Sequence, residues 1–381
     1  MTDALNLHKK LNGKIEISSK MNIKTKKDLS LVYTPGVAEV CRIITDDNIR
    51  DYTMKGNSIA VVSDGSAVLG LGNIGAKKAL PVMEGKAMLF KEFAGIDAVP
   101  ICLDTQDTNE IIKTVKIIAP VFGGINLEDI SAPRCFEIEN RLQDIGIPVM
   151  HDDQHGTAIV VLAGLINAAK VVGKEFSDLK IVVNGAGAAG TAITRLLMCA
   201  DYDKKICTSV SNVIICDSKG IINSNRDLNE YKKEIAKITN KENMEGILED
   251  AIKGSDVFIG VSAGNTLTKE MIGKMSDRPI VFAMANPVPE IMPDKAKEAG
   301  AVVVATGRSD FSNQVNNVLA FPGVFRGALD ARSERITDIM KLSAAYALAD
   351  TVENPNKDKI LPDVFDKNVV KNVSKAVRDA E

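Results

Sequence analysis

Short apolar runs recur along this chain with stretches of helix-forming residues between them, and that alternation limits the fold more than any other feature. The first series is SIAVV, AVPICL, GGINL and IPVM, separated by helical patterns over Gly75 to Phe93, Asn109 to Ala119 and Arg134 to Ile145. Strands joined by helical crossovers form βαβ units on a parallel sheet. A second series, LKIVV, SNVIICD, SDVFIGV, RPIVFAMA and GAVVVATG, repeats the pattern and predicts a doubly wound, Rossmann-like sheet. The expected fold class is therefore α/β. Two α/β domains, residues 1–156 and 157–325, are followed by helices over 326–381 that pack back on the body. A long helix starting after His155-Gly156-Thr157, with Thr157 as N-cap, is expected to join the domains.

Composition narrows the function classes. A chain of 381 residues buries a large core without disulfides or structural metals. The six cysteines form no CxxC pair and are expected to be reduced and mostly buried. With 47 Lys and Arg against 50 Asp and Glu, a formal charge of -3 carries no footprint for a polyanion, so no nucleic-acid partner is expected. The longest apolar stretch, Ala158 to Val172, is interrupted by Gly164, Asn167 and Lys170 and is too short to span a bilayer. The first residues have neither an apolar leader nor a transit-peptide composition, which predicts a cytoplasmic protein without membrane attachment.

The pattern GxGxxG occurs at Gly70, Gly72, Gly75 and at Gly185, Gly187, Gly190. Only the second copy has the right context. There LKIVV runs into NGAGAAG, a helix of good formers follows, and the next strand ends at Asp217. The segment Gly185, Ala186, Gly187, Ala188, Ala189, Gly190 would let a pyrophosphate approach a helix N-terminus, and Asp217 would accept hydrogen bonds from the adenosine ribose. Asp217 favours NAD, while Lys219 two residues on leaves room for NADP. At the first copy Pro81 is expected to break the helix that would receive phosphates, so this copy reads as a glycine-rich loop packed at a domain edge.

Glu128-Asp129 and Asp152-Asp153 each follow a strand-like run, at the carboxyl ends where open α/β sheets bind ligands. Carboxylates gathered there suit Mg2+ or Mn2+. His151 and His155 lie four apart, but no third soft ligand supports zinc. Taken singly, each acid pair reads sooner as a helix cap or a solvated loop than as a metal site.

Together the motifs resemble the malic enzymes, in their short bacterial form without a phosphotransacetylase-like domain. The match is carried by Tyr33 in VYTPGVAEV, Ser63-Asp64-Gly65 with LGLGNIG, Lys86 in PVMEGKA, Glu128-Asp129 in NLEDI, HDDQHGTA, NGAGAAG, Asn286 in AMANPVPE and Asn317 in NNVLAFPG. The resemblance implies oxidative decarboxylation of (S)-malate to pyruvate and CO2 with a divalent metal and NAD(P). It implies Glu128, Asp129 and Asp153 as metal ligands with Asp152 supporting them, Lys86 as general base and Tyr33 as general acid. Asn286 and Asn317 would bind the malate carboxylates, Asn286 also facing the cofactor. For Lys86 to act as a base, its ordinary pKa of about 10.4 would have to fall toward about 7.5. One departure is Ala67, where larger malic enzymes carry a carboxylate-binding arginine. A homodimer acting on small molecules is expected. Malolactic or oxaloacetate-decarboxylating chemistry, and an inactive nucleotide-sensing protein, are the alternatives.

Overall fold

A computed structural model describes residues 2–68, 70–200 and 202–381; Leu69 of the LGLGNIG segment lies outside them. The first series folds into β1 (Ser58–Ser63), β2 (Asp97–Cys102), β3 (Gly124–Leu127) and β4 (Val149–His151). They form a parallel sheet in the order β2-β1-β3-β4. The second series gives β5 (Lys180–Asn184), β6 (Asn212–Asp217), β7 (Gly220–Ile221), β8 (Val257–Gly260), β9 (Ile280–Ala283) and β10 (Val303–Thr306). Their order is β10-β9-β8-β5-β6-β7, parallel except for the short β7, which returns against β6. The chain leaves β5 for β6 on one side and comes back to β8 on the other, so a crevice opens at the carboxyl end of β5.

The joining helix is Asp152–Val172 and begins earlier than expected. β4 enters it with no intervening loop, His151 is its N-cap, and Thr157 sits inside it. Asp152 and Asp153 in its first turn meet the positive end of the helix dipole, which favours starting there. By length and composition this helix could cross a membrane, but most of it is buried inside the protein.

Pro81 does not end its helix either. Gly75–Ala94 runs through it, burying Ala79, Met83, Lys86, Ala87 and Phe90 along one face. The lost amide bond would have gone to the exposed Lys77 turn, and apolar burial on the other face outweighs a proline cost of about 3 kcal/mol. Of the two helices expected next, Asn109 to Ala119 folds as Thr108–Ile118, whereas Arg134 to Ile145 shortens to Arg134–Asn140.

Three helices, Phe321–Asp330, Asp338–Asp350 and Lys367–Arg378, close the chain. Gly327 lets the last of them approach: a Cβ there would lie 2.6 Å from both the Ser374 carbonyl oxygen and Val377. Phe321 and Phe325 stack on Phe90 at 4.6 and 5.5 Å between ring centres, fastening the C-terminal helices to the first domain.

Two features depart from the expected thiol chemistry and core. Cys199 and Cys207 form a disulfide across an eight-residue separation, and Cys41 is exposed. The turn that folds back after the helix Ala188–Leu197 brings this pair together; its spacing resembles no CxxC motif. Residues 2–56, in contrast, fold into the short helices Asp3–Leu11, Lys26–Val32, Val37–Ile43 and Ile49–Tyr52, none of which buries a single residue.

Candidate active site

β3 and β4 end side by side, with Leu127 opposite His151, so the acids that follow them converge. Glu128, Asp129 and Asp153 each place a carboxylate oxygen within 4.8 Å of the others. Asp129 has a left-handed backbone, φ 55°, and its amide donates to Asp153 Oδ2 at 2.8 Å. Its own Oδ2 is buried with no hydrogen-bond partner. Burial, then the charges of Asp153 and Glu128, pushes Asp129 up to about 9. Burial likewise pushes Glu128 to about 7 and Asp153 to about 6. Three oxygens this close, one of them orphaned, fit a hard divalent cation that would relieve their repulsion.

Lys86 is buried beside this trio. Its ammonium donates to Asp152 Oδ2 at 2.6 Å, lies 2.9 Å from Glu128 Oε1 and sits 4.1 Å over the Phe321 ring. Burial works to lower its pKa, but the charges and hydrogen bonds of Asp152 and Glu128 together carry it above the ordinary lysine value. This is the reverse of the fall expected from sequence. Without a cation beside it, Lys86 is an ammonium that partly neutralises the acids. Asp152 is wholly buried and pushed up to about 7 by that burial. It also accepts from Asn317 Nδ2 at 2.5 Å, so the second domain reaches the acid cluster directly.

Several supports were not legible as motifs. Asn126 holds Glu128 through Nδ2 at 2.8 Å. Glu139 accepts from the His151 amide at 2.8 Å and from Gln154 at 3.0 Å, and its Oε2 lies 3.0 Å from His155 Nε2. His155 thus serves the frame of the site through its ring and His151 through its amide, while burial pushes the His151 imidazole down to about 4, keeping it neutral. Arg134 pairs with Asp64 at 2.7 Å, fixing the turn that carries Ala67, whose amide donates to the Asp129 carbonyl at 2.9 Å. An acid in the DG turn awaiting a buried cation was the one available signal for Arg134.

The first glycine copy is a loop in which Gly70, Gly72 and Gly75 all have φ near 73°. A Cβ on Gly70 would run into the Asn286 carbonyl, so the loop packs against the second domain, as expected for an edge loop. Asn286 itself is exposed there. The second copy lines a cavity of about 630 Å3 with Gly185, Ala186, Gly187, Asp217 and Lys219. A Cβ on Gly185 would lie 2.7 Å from the Val261 carbonyl, so glycine is required for the tight turn. Ala188, Ala189 and Gly190 form the first turn of the helix Ala188–Leu197. Asp217 is already engaged: Arg226 grips both its oxygens at 2.9 and 3.0 Å, Lys232 donates at 2.6 Å and the Lys219 amide at 2.9 Å. Tyr33 is the outlier. It caps a helix of the N-terminal arm and is 68% exposed.

Comparison with known proteins completes the picture. The family described as "Malic enzyme, N-terminal domain" matches residues 12–143, and "Malic enzyme, NAD binding domain" matches residues 154–380. A bifunctional malic/malolactic enzyme of Bacillus subtilis is 57% identical, over 99% of this chain and 92% of its own length. An NAD-dependent malic enzyme of Geobacillus stearothermophilus is 57% identical, over 97% of this chain and 77% of its length. The crystal structure of an NAD-dependent malic enzyme from Thermotoga maritima superposes with a TM-score of 0.94 at 53% identity, covering 99% of both chains. Matched by both family models over most of its length and 57% identical to two such enzymes, this chain belongs to the malic enzyme family.

Proposed function

We propose that this chain oxidises and decarboxylates (S)-malate to pyruvate and CO2 while reducing NAD, with NADP also admitted, in the cytoplasm and as a homodimer. The observation that carries the assignment of roles is Lys86, buried and bridging Asp152 and Glu128, with Glu128 shared by the carboxylate trio. Glu128, Asp129 and Asp153 would hold Mg2+ or Mn2+, which would supply positive charge beside the substrate's α-hydroxyl.

With a divalent cation bound beside it, Lys86 would release its extra proton, and as the neutral amine its Nζ would take the malate C2 hydroxyl proton while the C2 hydride leaves for a bound nicotinamide. Asp152, 2.6 Å away, shares that proton with the amine. Asn317 and Asn286 donate amide hydrogens to the substrate carboxylates. Loss of the C4 carboxylate from the oxaloacetate so formed, as CO2, leaves the enolate of pyruvate; the Tyr33 hydroxyl delivers one proton to C3, and the proton that Lys86 took returns to the tyrosinate through solvent. Gly185 to Gly190 seat the pyrophosphate.

Support for the dimer comes from the arm. Leu5, Leu11, Ile17, Ile23, Leu29 and Leu31 are all exposed there, an apolar load that a monomer leaves in water. A second copy would cover it, and Tyr33 on that arm would complete the partner's site. The Bacillus relative's name supports malolactic turnover as a second reading. Absorbance at 340 nm with malate, NAD and Mn2+, paired with pyruvate and lactate assays, separates the two. Equal NADH and pyruvate is the expected result. Lactate without net NADH would overturn oxidative decarboxylation.

A further inference from the structure

We propose that a cavity at the amino-terminal edge of the first sheet, outside the active site, is a binding site for a small multivalent oxyanion held by Arg50, Lys55, Lys116 and Arg332. The cavity measures about 770 Å3 and all four cations line it. Its walls are the segment before β1, the end of the helix Thr108–Ile118, the turn at 145–147 and the turn after Phe321–Asp330. The acid trio follows the opposite, carboxyl ends of β3 and β4. A strand such as the six-residue β1 separates the two edges by roughly 20 Å.

The cations are arranged against their own repulsion. Arg50 Nη1 is buried and has no hydrogen-bond partner. Burial, then the charge of Arg332, holds Arg50 below its usual value, and burial, then Arg50, does the same to Lys55. Lys55 spends two of its donors on the carbonyls of Ala119 and Phe122, at 3.1 and 2.8 Å, which fixes its ammonium without neutralising it. Arg332 is paired with Asp51. Asp46, Asp47 and Glu334 also line the cavity, but none of them satisfies Arg50 Nη1. A guanidinium nitrogen left without an acceptor, with an ammonium and a second guanidinium beside it, presents the fork-and-point pattern that holds phosphate or paired carboxylate oxygens.

The test is calorimetric titration of the full chain with inorganic pyrophosphate. Saturating NAD fills the cofactor groove and a chelator removes divalent metal. One equivalent should bind, and Arg50→Met should weaken it by about tenfold or more, a loss of one charge-assisted contact set. Lys91→Gln, which removes a surface pair with Asp97, should leave affinity unchanged. If Arg50→Met fails to fold by circular dichroism, Lys116→Gln decides, since Lys116 is exposed on its helix. Succinate in a parallel arm distinguishes sources: tight pyrophosphate with weak succinate assigns a phosphate ligand, the reverse a dicarboxylate. Absence of binding by both anions, or equal affinity in wild type and variants, overturns the site.

Discussion

Residues 2–56 and the body that follows obey different physics. In the body, Lys86 is 8% exposed and is fixed by two carboxylates and an aromatic ring. In the arm, Tyr33 is 68% exposed, and its neighbours Leu29 and Leu31 lie in solvent. Both residues come from motifs of the same family resemblance, yet one is positioned by a single chain and the other is not. The arm is anchored near Lys14, whose amide and ammonium reach Glu84 and the Pro81 carbonyl. From there its apolar side chains face outward. A single fold therefore builds the proposed base, the carboxylate trio and the glycine-turn cavity, whereas the proposed acid needs something for the arm to pack on.

The largest effect should follow from Lys86→Ala. Turnover should fall by about 10²–10⁴ through loss of the base, the usual range for such groups. Stability should fall too, by about 3–5 kcal/mol, because Asp152 and Glu128 are left buried without their cation. Steady-state kinetics with malate and denaturant unfolding measure the pair of losses; retained activity would remove Lys86 from the chemistry. Tyr33→Phe should cost about 10²–10³ in pyruvate formation with no change in unfolding midpoint, since the hydroxyl touches nothing in its own chain that burial would protect. Mixing the two inactive variants sharpens the contrast. If the arm serves a partner's site, random heterodimers should restore about a quarter of wild-type activity. No recovery, with heterodimers demonstrated by size and tag, would place Tyr33 in its own chain's site.

Legibility in the sequence followed the same division. All nine longer strands appear as apolar runs; most are buried along nearly their whole length and so carry no alternation, while the edge strand β2 is only half-buried. The two acid pairs were legible because strand ends are the places where a parallel sheet puts ligands, while choosing Asp153 over Asp152 for the trio came only from the family resemblance. Pro81 and Thr157 misled because a local breaker or cap preference, worth a few kcal/mol at most, was set against the burial of a whole helix face. The Cys199–Cys207 link and the Arg134–Asp64 pair depend on tertiary proximity, over 70 residues in the second case, and leave no periodic trace.

A third contrast lies in how the two regions answer pH. Tyr33 sits on a surface arm, but the trio and Asp152 titrate near 6 to 9 rather than near 4. Raised carboxylate pKa values mean that the folded state holds protons the unfolded chain has released. Metal-free stability should therefore be highest below about pH 4, where the unfolded carboxyls are protonated too, and decline as pH rises from there through 6 to 9. Bound Mn2+ should reverse the decline and displace at least about one proton at pH 7. Titration of Mn2+ in buffers of different ionisation enthalpy counts that proton. A buffer-independent heat would mean that the acids are already ionised in the free protein.

The smallest effect concerns the far end of the cofactor crevice. A carboxylate offers about four lone-pair positions, and at Asp217 Arg226, Lys232 and the Lys219 amide already make four contacts with its two oxygens. A ribose diol must share or displace one of them, so the preference that an isolated aspartate gives NAD is blunted. The surrounding cations would also lower the cost of bringing a 2'-phosphate close. Arg226→Leu should free two of those contacts and subtract one positive charge. At about 0.5–1.5 kcal/mol for one recovered hydrogen bond, the ratio of kcat/KM for NAD over NADP should rise roughly 3- to 10-fold. The metal titration should not move, because Arg226 pairs with Asp217 at the second sheet's periphery, away from the three carboxylates proposed to hold the cation. An unchanged ratio would mean that Asp217 contributes nothing to the choice, and that discrimination between the cofactors rests on Lys219 or on the walls of the groove.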